Sequence, residues 1–141
     1  MNPLRLAGLT ILLLVLEVSF GQESMISKGQ LQDMFDSISE STDWDMSGDM
    51  LWGYFFTDSD KSALEQAAPI LEEMGYSVKS IYLSDKESED EPDLWWLHVE
   101  KVESHSVDSL NATNLVFYEF AEKHGIDSYD GMDVGLVATA D

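Results

Sequence analysis

Cysteine is absent from this 141-residue chain, and arginine occurs once, at Arg5. Without a thiol there is no disulfide, no thiolate metal site, no cysteine nucleophile and no redox switch. Secreted chains of this size often carry disulfides, but they can bury enough apolar surface to fold without them. Cationic side chains are scarce altogether. Seven lysines and arginines stand against 28 acids, for a formal charge of −21. Such a surface repels phosphate backbones and anionic lipid, so neither nucleic acid nor a membrane is an expected ligand. It favours solubility, and a basic protein as partner.

Signatures of chemistry are missing too. No nucleophile elbow, Walker loop or dinucleotide-binding glycine pattern occurs. His98, His105 and His124 share no metal-ligand spacing, so zinc is not expected. Asp43-x-Asp45-x-Ser47-Gly48 matches the first half of a calcium loop. The position that needs a bidentate glutamate is Tyr54, however, so the segment reads as an acidic turn before a strand. Acids are so abundant that no carboxylate pair stands out for hydrolysis. No catalytic residue and no cofactor is implied.

What is present begins with the N-terminus. Arg5 precedes a run, Leu6 to Leu16, whose one polar side chain is Thr10. Glu17 ends the run, and Ser19 and Gly21 occupy the small positions of a cleavage site. Residues 1–21 therefore read as a signal peptide, and residues 22–141 as one periplasmic or secreted domain. The alternative is an inner-membrane anchor, for which the run is short of the ~17–20 residues a span needs. Cleavage would remove Arg5 and Glu17, leaving six lysines and no arginine against 27 acids.

Past residue 30 the apolar spacing alternates between two periods. Leu31, Met34, Phe35 and Ile38 mark a short amphipathic helix over 30–39. Met50 to Thr57, dense in aromatics on both alternating sets, reads as a central strand. Asp58, Ser59 and Asp60 offer N-caps, and Ser62 with Glu65 offers a capping box for a helix ending at Gly75. Pro69 requires that this helix kink or start late. Tyr76–Leu83 and Leu94–Val102 are strands flanking a charged loop. A helix from about Asn111 to His124 has Asn111 as its N-cap, although Asn111-Ala-Thr113 is also a glycosylation sequon. Ile126 to Gly131 reads as a turn-rich link, with Asp130-Gly131 as turn chemistry, and Met132–Ala140 as the last strand.

The order is a helix followed by β-α-β-β-α-β. It predicts an α+β ferredoxin-like sandwich with two helices on one face of a four-stranded antiparallel sheet. The first and third strands should lie in the middle. They carry Trp52, Tyr54, Trp95 and Trp96, of which one alternating set should face away from the helices. Unless the N-terminal segment covers that side, these aromatics, with the acids around them such as Asp130, form a platform for a basic protein.

Four short segments carry a family resemblance: Leu64-Glu-Gln-Ala-Ala68, Met74-Gly-Tyr-Ser-Val78, Phe120-Ala-Glu-Lys-His124 and Tyr129-Asp-Gly-Met132. With the element order, they resemble the bacterial regulator of ribonuclease E activity B family over roughly residues 28–140. Met74 and Met132 stand where that family typically has leucine and tryptophan. The resemblance implies a non-enzymatic, acidic protein-binding domain that inhibits ribonuclease E. A cleaved signal peptide would separate this chain from a cytoplasmic enzyme, so a different, exported partner is expected. Three other readings stay open: a genuine ribonuclease E regulator that is cytoplasmic or membrane-tethered, a carboxylate-based enzyme, and an immunity protein against an exported toxin.

Overall fold

The computed structural model describes residues 11–12 and 25–138. The signal peptide expected over 1–21 lies, apart from Ile11 and Leu12, outside the described residues. In chain order the elements are β1 (Ile11–Leu12), α1 (Lys28–Ser41), β2 (Met50–Asp58), α2 (Lys61–Glu73), β3 (Ser77–Leu83), β4 (Trp95–Glu103), α3 (Val107–Lys123) and β5 (Ser128–Gly135). From α1 onward this is the predicted helix and β-α-β-β-α-β sequence. The sheet order is β1-β5-β2-β4-β3, so β2 and β4 are central as expected. The two residues of β1 pair with Val134 and Asp133, adding a short antiparallel fifth strand outside β5.

Two compact units can be described separately. Of the described residues, one comprises 11–12, 25–52, 102–116 and 131–138, and the other 53–101 and 117–130. In the first, Ser27 caps α1. Its hydroxyl accepts from the Gln30 N–H at 3.1 Å, and the Gln30 side chain accepts from the Ser27 N–H at 2.8 Å. This capping box starts the helix two residues ahead of the apolar pattern. Leu31, Met34 and Ile38 form its buried stripe. Thr42 closes the other end, where its N–H and hydroxyl both donate to the Ile38 carbonyl.

In the second unit the cap of α2 is Asp60, which accepts from the Ser62 N–H at 3.0 Å. The Ser62–Glu65 box does not form. The helix starts where predicted, and Pro69 lies inside it. Proline deprives the Glu65 carbonyl of its helical donor. Because Pro69 is exposed, Pro69→Ala should stabilise the domain by about 1–3 kcal/mol, read as a rise in melting temperature. Leu64, Ala67 and Leu71 are the buried face of α2, which packs on β3. Beyond both α2 and α3 the chain closes with the same paired hydrogen bonds. Tyr76 N–H reaches Leu71 and Gly75 N–H reaches Glu72; Ile126 N–H reaches Ala121 and Gly125 N–H reaches Glu122. These are Schellman closures.

Two expectations need correction. The last helix begins at Val107, a turn before Asn111, because Ser106 and Ser109 cap it reciprocally. Ser109 N–H donates to the Ser106 hydroxyl at 3.0 Å, and Ser106 N–H to the Ser109 hydroxyl at 2.9 Å. Asn111 is therefore a helical residue and not the cap. The last strand runs over 128–135 instead of 132–140. Its start was obscured because the alternation slips by one residue. Tyr129 and Met132, three apart, are both buried, as is Val134. Gly131, with φ at +115°, absorbs the extra residue in a conformation that a side chain would strain. Asp130-Gly131 is thus an irregularity within β5 and not a turn before it.

The corner between β2 and α2 is tied to the turn after α3 by two aspartates. Buried Asp58 accepts from the Asp60 N–H at 2.7 Å and, through its other oxygen, from the Asp127 N–H at 2.9 Å. Asp127 returns the contact by accepting from the Ser59 N–H at 3.1 Å.

Candidate functional site

Alternation along the central strands sorts their aromatics. On β2, Met50, Trp52, Tyr54 and Phe56 are buried, with the latter three wholly inaccessible. Trp52 stacks against Phe35 of α1 at 6.2 Å and meets the edge of His105 at 5.1 Å. Tyr54 touches Tyr76 and Phe117. Neither Trp52 nor Tyr54 presents any surface, so of the expected aromatic platform they form the inner half.

The outer set is different. Phe55 on β2 and Trp96 and His98 on β4 belong to it, and the register pairs Tyr82 of β3 with Trp96. Tyr82 and Trp96 are parallel, 6.2 Å apart and inclined by only 5°. Trp96 meets Phe55 edge-on at 6.0 Å, and His98 lies flat on Phe55 at 4.4 Å. His98 Nε2 is also 3.6 Å from the Glu100 carboxylate. Four rings thus run in one row across three strands. Exposure falls along it: Tyr82 is 41% exposed, Trp96 and Phe55 are partly covered, and His98 is 7% exposed. Lys79 marks a register irregularity in β3, between the pairs Val78–Val99 and Ser80–His98. That slip restores Ser80 and Tyr82 to the outer set.

Of the other residues expected at a binding surface, Trp95 is half-buried, with the Lys61 ammonium 4.9 Å above its ring. Asp130 is solvent-exposed and accepts from the Ser128 hydroxyl at 3.1 Å. Nearby protein desolvates its carboxyl and raises its pKa against the opposing effect of that hydrogen bond. The sequence alone does not mark Phe55, Tyr82 or His98 as part of a binding surface. Phe55 could have been found by its parity, opposite to Trp52 and Tyr54. Tyr82 needed the strand register.

The wet end of the row adjoins the loop of residues 84–93. It holds six acids (Asp85, Glu87, Glu89, Asp90, Glu91 and Asp93) and one lysine, Lys86. Lys86 is 2.6 Å from Asp93, so its charge is largely spoken for. Leu94, 37% exposed and of the same parity as Trp96, extends the apolar surface to the base of this loop, whereas Leu83 is paired with Trp95 on the opposite face.

The remaining constellations are structural. Asp45 accepts from both the N–H and the hydroxyl of Ser47, at 3.0 and 2.5 Å, which lowers its pKa and builds an Asx turn. His105 bridges the Ser109 hydroxyl at 2.9 Å and the Glu103 carboxylate at 3.0 Å, pinning the start of α3. Tyr129 is buried against Phe56, Phe117 and Tyr118, and that burial pushes its phenol well above its ordinary pKa. Among the described residues, no group of histidines and acids is placed to hold a metal ion. No helix among them is long and apolar enough to cross a membrane.

Comparison with known proteins identifies a family. The model for the regulator of ribonuclease activity B matches residues 29–134. No curated protein sequence matches the chain significantly.

Proposed function

The chain belongs to the regulator of ribonuclease activity B family, and we propose that it acts by binding a basic protein, without catalysis of its own. The observation that carries this reading is the pairing of a partly exposed ring row with a loop of six acids and one engaged lysine. Aromatic anchors supply contact area and acids select a cationic surface. The family connects the chain to ribonuclease regulation. The N-terminal residues, with their charged start, apolar run and small-residue cleavage pattern, favour export, and an exported partner in place of ribonuclease E.

Processing after Gly21 would remove β1 and leave Ile26, the Ser27 cap and everything after them. The export reading is tested by mass spectrometry of the native N-terminus in fractionated cells. A start near Gln22 in the periplasmic or secreted fraction is expected, and would sink direct ribonuclease E inhibition. A start at Met1 or Met25 in the cytoplasmic or inner-membrane fraction would overturn export and make purified ribonuclease E the first partner to assay.

The charge reading makes a separate prediction. Affinity for the true partner should fall about tenfold between roughly 0.05 and 0.5 M salt, because exposed charge pairs are screened over a Debye length of ~10 Å at 0.1 M. Titration calorimetry across that range checks it, and a salt-independent affinity would count against a basic partner.

A further inference from the structure

The Tyr82–Trp96 end of the ring row has three properties in one place. It is ordered, since the two rings are stacked on adjacent strands, 6.2 Å apart and 5° from parallel. It is accessible, through Tyr82 and Leu94. And it is fringed by the acids of residues 84–93, whose single lysine is already paired. A plain apolar partner would leave those acids beside a desolvated edge without cations. An anionic lipid surface or a nucleic-acid backbone would be repelled by them. A partner carrying both planar cations and apolar side chains satisfies every part of the surface.

We propose that the Tyr82–Trp96 end of the row, with the 84–93 loop, is the docking surface for an arginine-rich segment with interleaved aliphatic residues on the protein partner. Guanidinium groups stack on the Trp96 and Tyr82 faces, as planar cations do on aromatic rings. Aliphatic residues pack on Leu94, and flanking cations pair with the loop acids. The same kind of contact occurs within the domain. Lys61 lies over Trp95, and the Lys101 ammonium lies 5.0 Å over Tyr76. The inner end of the row, where His98 is stacked on Phe55, holds the platform rigid and takes no ligand. This assignment rests on the reading of the domain as a binder of basic proteins.

The test uses the full chain and a short synthetic peptide of alternating arginine and leucine, with a glutamate–leucine peptide as control. Binding is followed by the indole and backbone N–H resonances. Shifts are expected at the Trp96 indole, at Tyr82–Leu83 and through residues 84–93, with the Trp52 indole unmoved. Tyr82→Ser and Trp96→Ala should each weaken binding at least fivefold. A triple change, Glu89→Gln, Asp90→Asn and Glu91→Gln, should weaken it about threefold. Tyr82 is exposed enough that its variant keeps the test valid if Trp96→Ala fails to fold. If the arginine peptide does not bind at all at low salt, the basic-partner reading itself fails. If it binds with shifts elsewhere, or equally to both ring variants, only this surface is overturned. A dimer in sedimentation that Tyr82→Ser dissociates would likewise overturn it, by giving the face to a second copy of the chain.

Discussion

Phe117→Ala is expected to cost the domain about 4 kcal/mol of unfolding free energy, within the range for deleting a buried phenylalanine side chain. Phe117 has no accessible surface. Its ring lies 4.9 to 5.3 Å from those of Tyr54, Phe56, Tyr76 and Tyr129. Four aromatics converge on it, none of them flexible enough to fill the space it would leave. The cavity term therefore adds to the lost transfer energy instead of relaxing away. Domains of this size are stable by about 5–15 kcal/mol, so the variant should sit near the edge of folding. Urea denaturation checks this: the midpoint should drop sharply at unchanged slope. Leu115→Ala, two residues earlier on the same helix at an exposed position, should change stability by no more than about 0.5 kcal/mol. Equal losses in the two variants would mean that the ring cluster is not the core.

Asp58→Ala should be the next most damaging change, at about 3 kcal/mol, because it orphans backbone donors around a charged acceptor. Two N–H groups, of Asp60 and Asp127, lose their partner at once. The reciprocal contact from Ser59 to Asp127 then holds the corner alone. Asp58→Asn is the informative comparison. An amide keeps one accepting oxygen and turns the other into a donor facing an N–H. Its cost should fall between wild type and alanine, at about 2 kcal/mol. Amide hydrogen exchange localises the effect, with protection expected to fall first at Asp60 and Asp127. Unchanged exchange there would show that the clamp contributes little.

Much of this architecture could be read from residue order. Apolar spacing marked α1 and α2, and aromatic density marked β2 and β4. Glycines 75 and 125 stopped their helices where the closing hydrogen bonds are found. The failures had local causes. Ser106 and Ser109 make an all-serine cap, whereas a search for a strong cap favours Asn111. β5 begins early because Gly131 breaks its period in the middle, which makes one strand look like a turn followed by another strand. The ring row was half legible. Trp96 was singled out, but with it Trp52 and Tyr54, which belong to the opposite, buried set. Alternation alone separates two faces of a strand without saying which one is wet. Tyr82 joins Trp96 only through cross-strand register, and the irregularity at Lys79 hides that register from any count along the chain.

The slip at Gly131 also sets which changes of chain length β5 can take. Substituting Gly131 strains one backbone unit. Deleting it would remove the extra residue and leave plain alternation, with Tyr129, Met132 and Val134 still on one face. Deleting Asp133 would meet no irregularity to absorb the loss, and would carry Val134 out to solvent. Deletions should therefore be tolerated in the 84–93 loop and at Gly131 itself, and should damage the strand two residues further on.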